Sequence, residues 1–265
     1  MIAITPDMLW TTLREEAERV ATHEPVLAEF LRDAILRHTD FAGALGAYLA
    51  SKLANGEIGA RELEAIIADA YRDEPAIVDA AAVDLAASKE RDPAYSDHLT
   101  PLLYFKGYPS LQWYRVTHWL WTHDRRALAT YLHSRVSEIF AVDIHPGARF
   151  GRGIFIDHAT GIVVGETAVV GDDVSILHAV TLGGTGKVTG DRHPKVGSGV
   201  LIGAGAKILG NIRIGDCAKI GAGSVVLRDV PAHMTAAGVP ARLVGVPSEA
   251  VPALTMNQDF SDFQI

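Results

Sequence analysis

Apolar residues recur at three- and four-residue spacing along the first 140 positions and at six-residue spacing along the next hundred. Leu9, Leu13, Ala17 and Val20 form one helical stripe behind the start signal Thr5-Pro6-Asp7. Phe41, Leu45, Leu49 and Leu53 form a second stripe, stopped by Asn55-Gly56. Leu63, Ile66, Ile67 and Ala70 form a third, after which Asp73 with Pro75 opens the next helix. Leu128, Leu132, Val136 and Ile139 close the set. Asp92-Pro93 and Thr100-Pro101 read as breaks between helices, because a proline pushes the preceding residue out of the helical region. An α-helical domain is expected over residues 1–140.

After Phe140 the leaders are Ile144, Phe150 and Ile156, then Val164, Val170, Ile176 and Leu182. Past a break they continue as Val196, Ile202, Ile208, Ile214, Ile220 and Val226. Small or β-branched residues stand four positions after many leaders, as at Ala206, Ala218 and Ser224. A period of six fits neither a helix nor a long strand. It fits a solenoid of very short strands and corners, each coil stacking on the last around a continuous core. The fold class is α+β, a helical domain followed by a parallel β-helix over residues 141–245. Two irregularities interrupt the period: a two-residue slip between Ile156 and Val164, and a 14-residue step from Leu182 to Val196. Such corner insertions usually carry function. Residues 246–265 have no leader, two prolines and a polar end, so a flexible tail leaving the solenoid is expected.

Composition narrows the function. Of the 25 glycines, 20 follow residue 141, which suits helices before the boundary and tight corners after it. A net charge of -8 argues against a nucleic-acid partner, which would need a basic face. The single cysteine, Cys217, excludes a disulfide framework and fits a reducing compartment. No apolar run approaches a membrane span and the N-terminus lacks the order of a signal peptide, so a cytoplasmic protein is expected.

The stretches DIHPGARFGRGIFIDHATGIVVGE, TLGGTGK, GDRHPK, IGAGAKILGN and AAGVPAR, with RDPA and TPLLYFKG in the helical half, closely resemble bacterial serine acetyltransferases. The resemblance covers roughly residues 5 to 245. It implies a left-handed β-helix, acetyl-CoA as co-substrate with no metal, and L-serine as acceptor. It further implies inhibition by L-cysteine, and a dimer of trimers with active sites between neighbouring β-helices of a trimer. Rival readings are a hexapeptide acetyltransferase for another hydroxyl acceptor, a zinc lyase of the γ-carbonic-anhydrase kind recruiting His158, His178 and His193, and a non-catalytic scaffold.

The chemistry asked of these residues is general-base catalysis, since a serine hydroxyl is a poor nucleophile and the thioester is already activated. His158 in DHATG matches the family's base, and Asp143 in VDIHP matches the carboxylate that orients it. With coils of about 18 residues, positions 15 apart are expected to approach each other across adjacent coils. Serine is a zwitterion. Arg192 offers a bidentate fork for its carboxylate, and His193 matches another substrate contact. Asp157 and Asp92 match the partners of its ammonium, although Asp92 before proline also reads as an ordinary turn. By the same resemblance Gly184, Ala204, Lys219 and Ala222 line the CoA groove. The terminal Ile265 matches the residue that inserts into O-acetylserine sulfhydrylase, the next enzyme of cysteine synthesis.

Overall fold

The computed structural model describes residues 4–186 and 189–259. Its helical half runs α1 (Pro6–His23), α2 (Ala28–Leu31), α3 (Phe41–Leu53), α4 (Ala60–Asp73), α5 (Ala76–Arg91), α6 (Leu99–Tyr104), α7 (Gly107–Thr122) and α8 (Arg126–Phe140). The start signal works as read: the Thr5 hydroxyl accepts from the Met8 N–H, and Pro6 occupies the first turn, where no N–H is needed. Thr100-Pro101 proves not to be a break, because both residues lie in the first turn of α6, where proline is tolerated. In α8 the stripe closes on buried Phe140, and Ile139 faces outward.

The second half is a three-sided parallel β-helix. Its first face stacks Val142–Ile144, Ile162–Val164, Thr181–Gly183, Lys207–Leu209 and Val225–Val226. The second stacks Arg149–Phe150, Val169–Val170, Lys195–Val196 and Arg213–Ile214. The third stacks Phe155–Ile156, Ser175–Ile176, Leu201–Ile202, Lys219–Ile220 and Thr235–Gly238, with Ala241–Gly245 folded antiparallel on the end. Every leader from Ile144 to Val226 points into the core, with only Phe150 partly exposed. Complete burial of such side chains contributes about 1.5–3 kcal/mol each.

Register accounts for both irregularities. Lys207 pairs with Val225, eighteen residues on, which is the regular coil. Val142 pairs with Ile162, twenty on, and Thr181 with Lys207, twenty-six on. The slip is therefore a two-residue insertion at the corner between the third and first faces. The long step is an eight-residue insertion at the corner between the first and second.

A buried ion pair of the helical half and a buried arginine beside it hydrogen-bond across to the solenoid. Asp84 of α5 is fully buried, accepting from Arg115 and Gln112 of α7 and from the Ile154 N–H of the solenoid. Arg115 also donates to the Gly151 carbonyl, and Arg91 to the Gly153 carbonyl and the Ser175 hydroxyl. Removing one partner of such a pair costs about 3–5 kcal/mol, since it strands a buried charge. The first turn of α7 lies directly on the third face, where a Cβ on Gly107 would stand 2.1 Å from the Ile156 carbonyl oxygen.

The expectation of a tail leaving the solenoid is corrected over its described part. Helix α9 (Pro252–Thr255) lies on the third face, with Pro252 and Ala253 buried. The Ser175 hydroxyl donates to the Ala253 carbonyl at 2.8 Å, and the Lys219 ammonium to the Asp259 carbonyl at 2.9 Å. Helix α9 packs against the Leu201–Ile202 strand, where Leu201 is buried, and the Ala253 N–H donates to the Gly199 carbonyl. Ile265 lies outside the described residues. Among those described, no helix is long and apolar enough to cross a membrane.

Candidate active site

The third-to-first corner carries His158. Asp157 hydrogen-bonds up to Ile176, and Thr160 accepts from Ala179 above it, so His158 and Ala159 are the two inserted residues. Both have positive φ, 56° and 59°, and each is the centre of a three-residue turn. Non-glycine residues held there carry strain, and such strain clusters at functional sites. The insertion pushes the imidazole into the open, its side chain 75% exposed. Its Nε2 stands 3.6 Å from Asp157 Oδ1, an ion-pair distance rather than a hydrogen bond.

A cavity of about 200 Å³ opens beside it, lined by Asp92, Asp157, His158, Lys106 and the aromatic rings of Tyr95 and Tyr104. Lys106 donates to the Thr160 hydroxyl, tying the α6–α7 link to the corner. Burial pushes the Asp157 carboxyl up, and the like charge of Asp92 pushes the same way, against the pull of His158. Two carboxylates lining one small cavity form a ready site for a small cation. Up the same corner, backbone bonds stack Thr160, His178, Ala204 and Ala222. His178 meets His158 edge to face at 5.9 Å, and above it the column shrinks to methyl groups.

The first-to-second corner carries Arg192 and His193 at the end of the eight-residue insertion. Arg192 donates to Glu166 at 2.8 Å, which holds that carboxyl below its usual range. The Thr167 hydroxyl accepts from the N–H groups of both Arg192 and His193. The Thr167 N–H donates to His193 Nδ1 at 3.1 Å, so the ring proton is assigned to Nε2. Burial lowers the His193 pKa, and Arg192 and Lys195 lower it further, leaving a neutral donor at neutral pH. That donor faces Gly165 and Gly184: a Cβ on Gly165 would lie 2.0 Å from Nε2, and one on Gly184 would lie 3.7 Å away.

Asp143 lies on the first face between these corners, its side chain outward between the inward Val142 and Ile144. It accepts from His133 Nε2 at 2.7 Å, and that bond first of all depresses its pKa. The expected approach of Asp143 to His158 is not met within one chain. The first coil has twenty residues, so Val163 stacks on Asp143, and His158 remains one corner behind. The CoA candidates divide likewise. Ala204 and Ala222 rise from the His158 corner, Gly184 sits at the Arg192 corner, and Lys219 is on the third face, 2% exposed beneath Asp259. Glu166, Thr167, His133 and Lys106 escaped the sequence reading, although Glu166 and Thr167 directly follow the DHATGIVVG run. Among the described residues no group of three or more His, Cys, Asp or Glu is placed to hold a metal.

This architecture has known counterparts. Residues 9–113 match the family described as serine acetyltransferase, N-terminal, and residues 193–228 match bacterial transferase hexapeptide (six repeats). The serine acetyltransferase of Haemophilus influenzae is 56% identical, the match covering 95% of this chain and 94% of that protein. That of Salmonella typhimurium is 54% identical over 96% and 93%. The chain belongs to the serine acetyltransferase family. Among solved members, a complex with cysteine superposes with a TM-score of 0.93 at 56% identity, covering 95% of this chain and 98% of that one. The soybean enzyme complexed with serine gives 0.88 at 54% identity, over 90% and 98%. The Brucella abortus enzyme in complex with coenzyme A gives 0.89 at 51% identity, over 91% and 96%. Family membership thus accounts for the helical half as well as for the repeat.

Proposed function

We propose that this chain transfers the acetyl group of acetyl-CoA to the hydroxyl of L-serine, at a site completed by a second copy of itself. The observation that carries this reading is the partition of the candidate residues. Asp92, Asp157, His158, Ala204 and Ala222 gather at one corner, and Arg192, His193 and Gly184 at another, with the first face between them. At the His158 corner the cation Lys106 is engaged by the Thr160 hydroxyl, and at the Arg192 corner the carboxylate Glu166 is engaged by Arg192, so each corner offers a substrate mainly one sign of charge. The His158 corner of one copy set against the Arg192 corner of the next supplies a carboxylate pair for the ammonium and a guanidinium with an Nε2–H donor for the carboxylate. Three such contacts close a ring of three copies, and two rings form the hexamer.

In that site His158 removes the serine hydroxyl proton as the oxygen bonds to the thioester carbon. The carbon–sulfur bond then breaks, and the imidazolium returns the proton to the CoA thiolate. Asp143 of the neighbouring copy faces the imidazolium and stabilises its charge, staying ionised throughout. Acetyl-CoA lies along the methyl column of Ala204 and Ala222, with Gly184 of the neighbour bordering it. Lys219 reaches a CoA phosphate only where its bond to the Asp259 carbonyl gives way. L-Cysteine, with sulfur in place of oxygen, is held by the same charges and competes with serine. The carboxylate of Ile265 anchors the sulfhydrylase that consumes O-acetylserine.

Release of CoA thiol on mixing the protein with acetyl-CoA and L-serine tests the reaction. His158→Ala is expected to slow it by roughly 10²–10⁴, the range of a general base, with acetyl-CoA binding retained. A folded variant of near-normal turnover removes His158 from this role.

A further inference from the structure

Helix α8 ends at Phe140, and Ala141 turns the chain back in the left-handed conformation, φ 55°, with its N–H on the Ser137 carbonyl. The reversal puts strand Val142–Ile144 beneath the helix and brings His133, ten residues upstream, over Asp143. The His133 side chain is 19% exposed and donates from Nε2 to Asp143 Oδ1 at 2.7 Å. Asp143 itself is 46% exposed on an open face, and its second oxygen has no partner among the described residues. The carboxylate is thus held by one oxygen and offered by the other. Along the described first face, the outward residues of the following strands are Val163, Thr181, Lys207 and Val225, so Asp143 is the one carboxylate this row presents.

We propose that His133 is a positioning residue for catalysis, fixing the Asp143 carboxylate so that its free oxygen meets the His158 imidazole of the neighbouring copy. This rests on the assignment of Asp143 made above. A carboxylate on a three-residue strand rotates freely about its side-chain bonds unless something fixes it. A hydrogen bond to one oxygen leaves the other in a defined direction. His133 touches neither substrate nor base and acts only through Asp143. The neighbouring imidazole His145, 6.0 Å from the His133 ring, does not share the task, since its Nδ1 accepts from the Gly147 N–H and its own pKa is lowered first by burial.

The test is a double-mutant cycle in the full-length enzyme. His133→Met keeps the volume and removes the donor; His133→Gln keeps a donor at similar reach. Met is expected to lower kcat about ten-fold, the scale of coupling between groups in direct contact, with both KM values within two-fold. Gln is expected to restore most of kcat. In an Asp143→Asn background, exchanging His133 for Met is expected to have no further effect. Equal kcat losses in both backgrounds, or a Gln variant as slow as Met at the same melting temperature, overturn the proposal and reduce His133 to a tie between helix and strand. An Asp143→Asn enzyme as fast as wild type overturns the assignment of Asp143 itself, a different and separately visible failure.

Discussion

Replacing Gly165 by alanine sets the His193 assignment against a clear steric limit. Gly165 does not have positive φ, so the residue is needed for space rather than for backbone freedom. An added Cβ would stand 2.0 Å from His193 Nε2, 2.1 Å from Cδ2 and 2.7 Å from Cε1. Reaching ordinary contact requires the ring to retreat by about 1.4 Å. The ring cannot swing freely, because the Thr167 N–H at 3.1 Å and the Thr167 hydroxyl at 2.9 Å both hold Nδ1. Losing these bonds costs about 0.5–1.5 kcal/mol each, and overpacking a filled site adds about 1–3 kcal/mol. If half of that total falls on the transition state, about 1–3 kcal/mol, kcat/KM for serine drops by roughly 5-fold to 150-fold. Gly184→Ala is the internal control, since its Cβ would meet the same Nε2 at 3.7 Å, an ordinary contact. Steady-state kinetics with serine varied at saturating acetyl-CoA compares the two. A Gly165→Ala enzyme within two-fold of wild type in kcat/KM for serine refutes the placement of His193 in the serine site.

Serine binding should weaken in acid as Asp157 takes up a proton, and this limb should lie above the ordinary carboxylate range because the Asp157 pKa is raised by burial and by Asp92. Asp92→Asn removes the like charge, lowers the Asp157 pKa and is expected to move the limb to lower pH, read from the serine KM as a function of pH. At the other end of the chain, full-length protein and a version lacking Ile265 are to be titrated with the sulfhydrylase. Loss of binding in the shortened form alone is expected, and equal binding by both rejects the tail as anchor.

The solenoid was legible because its core leaders are also its period: Ile202, Ile208, Ile214 and Ile220 each fill the next side of one triangular core. The slip at DHATG was legible as a defect, and the register identifies it as His158-Ala159. Which residues meet was not legible. Asp143 and His158 are close in sequence, yet a twenty-residue coil keeps them a corner apart. His133 and Thr167 carry no motif, because they act through a hydrogen bond to a side chain that does. The docked segment around Ala253 was missed because burial there needs only one short apolar turn, too brief for any periodicity to register.

Subunit complementation tests the shared site most directly. His158→Ala and Arg192→Ala are each expected to be nearly inactive, one lacking the base and the other the carboxylate fork. Unfolded together in equal amounts and refolded, random assembly gives an intact pair at about one interface in four, if each site draws one corner from each of two copies. About a quarter of wild-type turnover is the expected result. Activity no greater than that of the two variants refolded separately contradicts the shared site and returns both residues to a single chain.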